Sequence, residues 1–394
     1  MVVLALSALG PIRAVAAGQF SPFANATVEH DSNVFYLPGP GADGIASLGD
    51  VVSKFTAGFN TQYDWGRDNA SLYAEGLREL YDRFGYLDHY EYALNGQVDW
   101  HFGPVLETVL SYAQSRAMAN FADTLTTVAE LDTTRNAQLT ARILVAPEWR
   151  LSLAPRDFQQ QIPLPQYPDF RLKESGGTAD FDYLGLTNVT GGLEIGYTHG
   201  AYQGIANATK YDQRAAALTA TYKVTDKSNF TGNVGYTVRD SSLNPQGSTV
   251  FLPGANQQAG STAAVTSNLS YNLQLTSKTQ LTLQLFRSID SYVAGANAEL
   301  SKGGSAAIRW SPDFRFTLEL DYREEWEDFA GDLVIANFAD RSDRMGAGEF
   351  DVSYFATSRL TVRTFVMRNN RESNFEAARY SKTVAGLEIR GKLN

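Results

Sequence analysis

From residue 51 onward, apolar and polar side chains alternate. Phe55, Ala57, Phe59, Thr61, Tyr63 and Trp65 share one parity, and Lys54, Thr56, Asn60, Gln62 and Asp64 hold the other. The next run sets Tyr90, Tyr92, Leu94, Gly96, Val98, Trp100 and Phe102 against Glu91, Asn95, Gln97, Asp99 and His101. The pattern returns as Val265, Leu269, Tyr271, Leu273 and Leu275 against Thr266, Asn268, Ser270, Asn272 and Gln274. It returns again as Phe314, Phe316, Leu318, Leu320 and Tyr322 against Arg315, Thr317, Glu319, Asp321 and Arg323. A period of two means a strand with one apolar and one polar face. Such runs are long for a soluble sheet, whose strands usually have about five or six residues. They match the roughly nine to eleven residues that a tilted strand needs to cross a bilayer.

The connections sharpen this into an architecture. Tight turns are expected at 66–68, 103–104, 146–148, 187–189, 225–228, 276–279, 311–313 and 356–358. Longer connections rich in Gly, Asn, Asp and Pro lie near 37–50, 84–88, 119–131, 161–170, 203–208, 241–261, 291–301, 327–341 and 372–379. Tight and long connections alternate along the chain, as in outer-membrane barrels with short periplasmic turns and longer extracellular loops. The prediction is an all-β, transmembrane, antiparallel up-and-down barrel of about 18 strands, both termini periplasmic. The first, third and eighth strands, near 22–36, 69–83 and 171–186, alternate poorly, which leaves 16 strands as a fallback. Trp65, Trp100, Trp149 and Trp310 fall beside tight turns on the outward parity, and Trp326 is outward at the opposite strand end. Aromatic girdles at both interfaces have this form. A soluble sandwich would not need paired short and long loops.

The first 17 residues read differently. Met1 to Leu9 is almost wholly apolar, and Ala14-Val15-Ala16-Ala17 offers small residues for cleavage. This is the form of a secretory signal peptide over 1–17, although a basic start is missing and Arg13 is unusual there. Residues 18–394 then read as one barrel in the outer membrane of a Gram-negative bacterium.

Composition removes several alternatives. The 394 residues include no Cys and four His, so a disulfide framework, a Cys nucleophile and a His-rich metal centre are not expected. A net charge of −10 argues against a nucleic-acid partner. No phosphate-binding glycine loop and no zinc-protease motif occurs, and neither a cofactor nor a metal is predicted. Asp88-His89 reads as a solvated loop pair, because catalysis would need a second constellation at the same height. No catalytic residue is assigned and enzymatic activity is not expected. His101 is expected to hydrogen-bond in the lumen. Asp31-Ser32-Asn33 and Glu372-Ser373-Asn374 read as loop-base caps.

Inward parity on the last strands collects Arg309, Arg315, Arg323, Arg359, Arg363, Arg390 and Lys392, diluted by Glu319, Asp321, Glu349, Asp351 and Glu388. Inward parity near the fourth and fifth strands gives Glu91, Asp99 and Glu107, with Arg142, Arg150 and Arg156 close by. The expectation is a transverse field, with a basic strip that attracts an acidic polymer or solute. The alternative is that these charges pair across the ladder and only keep the lumen wet.

Several short stretches resemble EpsL-type barrel proteins, outer-membrane components of exosortase-associated exopolysaccharide operons within a wider β-barrel porin class. They are Phe20 to Phe23 with His30 to Phe35, Gly192 to Gly200, Tyr211 to Arg214, Thr225 to Ser228 leading to Gly235-Tyr236-Thr237, and Arg371 to Phe375. The resemblance implies a channel exporting an exopolysaccharide, acidic if the basic strip holds. Its partners would be outer-membrane lipid, the polymer and periplasmic export components. The competing expectation is a general or substrate-selective diffusion porin for small solutes, because both need a polar lumen.

Overall fold

The computed structural model describes residues 17–163, 170–204, 209–243, 260–291, 296–332 and 341–393. The expected leader, apart from Ala17, lies outside them, as do the middles of five of the long connections. Eighteen strands form one sheet. They are β1 (Ala17–Asp31), β2 (Asp50–Trp65), β3 (Asp68–Tyr81), β4 (His89–Phe102), β5 (Leu106–Met118) and β6 (Leu131–Ala146). Next come β7 (Trp149–Gln161), β8 (Arg171–Tyr183), β9 (Val189–Gln203), β10 (Thr209–Thr225), β11 (Ser228–Leu243) and β12 (Ser261–Thr276). The circuit ends with β13 (Thr279–Asp290), β14 (Ala296–Trp310), β15 (Phe316–Asp332), β16 (Ser342–Phe355), β17 (Leu360–Ser373) and β18 (Tyr380–Lys392).

Each strand pairs antiparallel with its sequence neighbours. β1 closes the ring on β18, from Phe23 opposite Lys392 to Asp31 opposite Val384. Closure satisfies the backbone inside a bilayer, where water cannot. Following register partners once around the wall returns to β1 displaced by about 22 residues, which implies strands tilted roughly 40° and a backbone radius of about 17 Å.

All eight tight connections join strands at one end. Gly66 and Gly103 sit at φ 68° and 67°, a left-handed conformation that these short turns require and that glycine adopts without strain. The nine longer connections share the other end. The 18-strand count therefore holds, and the fallback of 16 does not. The poorly alternating strands are real. In β3 the inward Tyr73 stacks on Phe23 of β1 at 5.8 Å between ring centres, so an aromatic stands on the wet face. In β8 the outward residues Lys173 and Ser175 lie near the loop end, beyond the apolar belt.

That belt is legible on β15. Phe316, Leu320 and Tyr322 face outward and are exposed to the surroundings, whereas Glu324, next on that face, pairs with Arg344 of β16. Similar outward charges mark the same level elsewhere. Arg78 lies over the Tyr90 ring at 4.1 Å, and His199 and Tyr197 engage Asp212 at 3.0 and 2.5 Å. The strands thus continue past the membrane, which is why β14 and β15 invade connections that the sequence pattern places at 291–301 and 327–341. Trp100, Trp149, Trp310 and Trp326 are all outward and exposed. Trp149 stacks on Phe181 at 4.8 Å beside the turns, and Trp326 lies under Arg344 at 5.9 Å on the far side of the belt. The two aromatic girdles are present.

Candidate functional site: the lumen and its throat

A wall of this radius leaves a wide bore unless something enters it. The loops at the long-connection end do. The β1–β2, β3–β4 and β5–β6 connections contribute Val34 and Phe35, Leu87, and Phe121 to a single buried apolar cluster. Phe35 meets Phe84 at 4.8 Å and Phe121 at 5.4 Å. The β5–β6 connection carries one helical turn, α1 (Phe121–Thr124), capped by Asn120, whose Oδ1 accepts from Ala122 N at 3.0 Å. Arg371 of β17 donates to the Ala122 carbonyl at 2.7 Å and lies 3.3 Å from Asp123. That bridge joins strands a third of the circumference apart.

The caps expected from sequence form. Asn33 N donates to Asp31 Oδ1 at 2.9 Å, Leu37 N to Asn33 Oδ1 at 3.0 Å, and Thr383 N to Ser32 Oγ at 2.8 Å. Ser342 N donates to Asn374 Oδ1 at 2.9 Å, and Phe375 N to Ser373 Oγ at 3.0 Å. Asp88 and His89 do not act together. Asp88 accepts from Tyr81 N at 2.8 Å, and His89 binds the Leu87 carbonyl and Glu91 at 2.7 and 2.8 Å. His89 is buried rather than solvated, with the Tyr81 ring stacked beside it at 6.4 Å.

A second set of bridges crosses the other side. Tyr211 of β10 donates to Glu174 of β8 and meets Ser291, at the end of β13, at 2.8 Å. Ser291 also donates to Glu174 at 2.8 Å. Arg239 of β11 lies 3.6 Å over the Tyr211 ring and donates to the Asp290 carbonyl at 2.7 Å. Gly200 makes the space: a Cβ there would stand 2.0 Å from the Tyr211 ring. The throat is therefore narrowed by hydrogen-bonded chords from both sides. None of these chords is visible in strand parity, since each joins residues far apart in sequence.

Below the throat the inner wall divides in two. From β9 to β13 it is mostly uncharged, with Thr219, Thr221, Thr231, Asn233, Asn268 and Ser270 among residues lining a cavity of about 580 Å³. The rest is charged. Of the expected basic strip, Arg309, Arg323, Arg363 and Arg390 face the lumen, while Arg315 and Arg359 lie in the tight turns at the rim. Arg309 stands opposite Glu319. Arg323 holds Glu325 through two bonds at 3.0 and 2.7 Å, and Arg390 meets Glu388 at 3.0 Å. Arg363 pairs with Glu349 and lies 3.4 Å from Asp351 and 3.7 Å from Glu388. On the expected acidic side, Glu107 pairs with Arg142 at 2.6 Å, Glu91 with His89, and Asp99 accepts from Gln97 at 3.0 Å. Arg150 pairs with Asp182 at 2.7 Å. His101 meets Asp68 at 3.3 Å, the lumen hydrogen bond expected of it. Carboxylates outnumber basic groups on the inward faces of β1–β4 and β14–β16.

No protein-family model matches the chain, and no curated protein matches it. Among solved structures it is similar to the FrpB iron transporter from Neisseria meningitidis in its apoprotein form, with TM-score 0.53 and 12% identity over 90% of this chain and 62% of that one. It is also similar to OccK2 (OpdF) from Pseudomonas aeruginosa, with TM-score 0.49 and 14% identity over 96% and 98% of the two chains. A third is the outer membrane protein OpdK of the same organism, with TM-score 0.45 and 13% identity over 95% and 98%. The chain spans about three fifths of the length of the FrpB chain that it matches. At such identities the likeness is one of fold. Closed strands, an apolar belt and two girdles around a polar bore define a transmembrane β-barrel of the Gram-negative outer membrane.

Proposed function

We propose that the protein is a diffusion porin that admits small solutes and favours cations. The observation that carries this is the inner wall. It is mostly polar, Arg309, Arg323, Arg363, Arg390, Arg142 and Arg150 each face a carboxylate, and further carboxylates such as Asp321 and Asp99 face the bore. A cleft with an excess of one sign raises the local concentration of the opposite ion. The bridged throat sets a size limit, because a solute must pass beside the Arg371–α1 and Tyr211–Glu174–Ser291 chords. Export of an exopolysaccharide, the role implied by the EpsL-type resemblance, has less support, because a polymer strand would require those chords to part.

Planar-bilayer recording in a salt gradient tests the reading. The wild type should show a cation-preferring reversal potential, stronger at low salt where screening is weak. Glu319→Gln with Asp321→Asn should reduce it. Anion preference in the wild type would overturn the proposal, and loss of surface polysaccharide on gene deletion would favour export.

A further inference from the structure

The outer end of the wall formed by β14 and β15 holds three carboxylates, of which one, Glu325, is paired with an arginine, while Glu299 and Glu327 form no ion pair among the described residues. Glu299 of β14 and Glu325 and Glu327 of β15 each offer an oxygen, and the three oxygens lie within 4.8 Å of one another. Register produces the grouping. Gly303 is opposite Glu325, Ser301 is opposite Glu327, and Glu299 is the next inward residue along β14. Glu325 and Glu327 are only 8% and 6% exposed, and Glu327 Oε2 has no hydrogen-bond partner among the described residues. A buried carboxylate left unpaired is costly, and it is relieved either by taking up a proton or by binding a cation.

The nearby guanidinium groups leave Glu299 and Glu327 without an ion pair among the described residues. Arg323 is bidentate on Glu325 at 3.0 and 2.7 Å. Arg341 grips Asp343 through Nε at 3.0 and 2.9 Å. Arg371 of β17 holds the Ala122 carbonyl at 2.7 Å and lies 3.3 Å from Asp123 and 3.5 Å from Asp343. Asp290 of β13, opposite Glu299, adds a further carboxylate to the same region. A second cluster in this barrel shows the contrast. Glu79, His89 and Glu91 are equally close, but Lys54 Nζ stands 2.9 Å from Glu29 and 3.3 Å from Glu79. There, His89 Nε2 and Met118 N reach Glu91 at 2.8 and 2.7 Å. At that cluster a lysine bridges two carboxylates and a histidine reaches a third, whereas at the β14–β15 cluster only Glu325 is paired with a cation of the protein among the described residues.

We propose that Glu299, Glu325 and Glu327 bind a divalent cation of the calcium type at the outer end of the lumen. The donors are all hard carboxylate oxygens, with no imidazole or thiolate to select a softer metal. Ca²⁺ accepts six to eight oxygen ligands in flexible geometry, and lumen water can complete the shell, whereas Mg²⁺ demands near-ideal octahedral spacing. The bound ion would tie β14 to β15 where both strands have left the membrane belt. This inference is independent of which solute the bore passes.

The test is calorimetric titration of the folded, detergent-solubilised barrel with CaCl2 after chelator treatment. One saturable site is expected, with a dissociation constant of about 10⁻⁴–10⁻³ M, the range of extracellular calcium modules. Glu327→Gln and the less buried Glu299→Gln should each weaken it at least about tenfold, since each removes a charged ligand. Calcium should raise the unfolding temperature of the wild type but not of these variants. Glu349→Gln, on β16 and held by Arg363, should bind calcium as the wild type does. Absence of saturable binding in folded wild type, undiminished binding in a folded Glu327→Gln or Glu299→Gln, or tighter binding of Zn²⁺ than of Ca²⁺ would overturn the proposal.

Discussion

Leu320 stands on the outward face of β15, midway between Phe316 beside the turn and Glu324 where charge resumes. An arginine at that depth costs roughly 2–4 kcal/mol. Leu320→Arg should therefore lower the yield of heat-modifiable, folded barrel on a gel, while Gln284→Arg, facing the wet bore, should fold like the wild type. Equal assembly of both would refute the assigned faces. Glu130 carries a different expectation. It is buried at the end of the β5–β6 connection, both carboxylate oxygens lack partners among the described residues, and burial pushes its pKa up to about 7 from 4.5. The folded state therefore binds more protons than the unfolded one between those values, and docking of the loop weakens as pH rises from 4.5 through about 7. Hydrogen-exchange protection in residues 119–130, taken relative to the intrinsic rate at each pH, should fall over that window, and Glu130→Gln should flatten the response. Single residues were unequally legible in the sequence. The Asp31-Ser32-Asn33 cap could be read because its partners are local. The fate of Arg363 could not, because parity gives a face but not the neighbours, and its three carboxylates come from strands on both sides.

The chain's lack of cysteine makes connections easy to test one at a time. Val128→Cys, in an exposed part of the β5–β6 connection, should react with a membrane-impermeant maleimide on intact cells. Lys278→Cys, in the β12–β13 turn, should react only once the outer membrane is permeabilised. The reverse pattern would invert the barrel. Strand number and the short-long alternation of connections were readable because turn residues and period-two patterning are local signals. The ends of β14 and β15 are not legible from alternation, for a physical reason. A ladder can continue into water, where Glu324, Lys302 and Arg344 replace the apolar face, so the loss of alternation marks the membrane boundary rather than the end of a strand. Strands β1 and β3 blurred for another reason, since Phe23 and Tyr73 stack inside the lumen.

For the whole molecule, a closed antiparallel barrel followed from pattern alone, whereas the throat did not, because its contacts join loops whose order in space is set only after the ring closes. The number of strands and the stagger between them fix a bore that is wide at the turn end, and the narrowing is imposed from the opposite end. Among the described residues, three separate connections build one side of that narrowing, yet Val34, Phe35, Leu87 and Phe121 form one apolar cluster. Elements that share a core cannot leave it singly without exposing the others' apolar surface to water. The three loops on this side of the aperture should therefore move as a single cooperative unit. Single-channel records of the wild type should show one large, all-or-none conductance step, and Phe121→Ala, by uncoupling the loops, should replace it with a ladder of smaller substates.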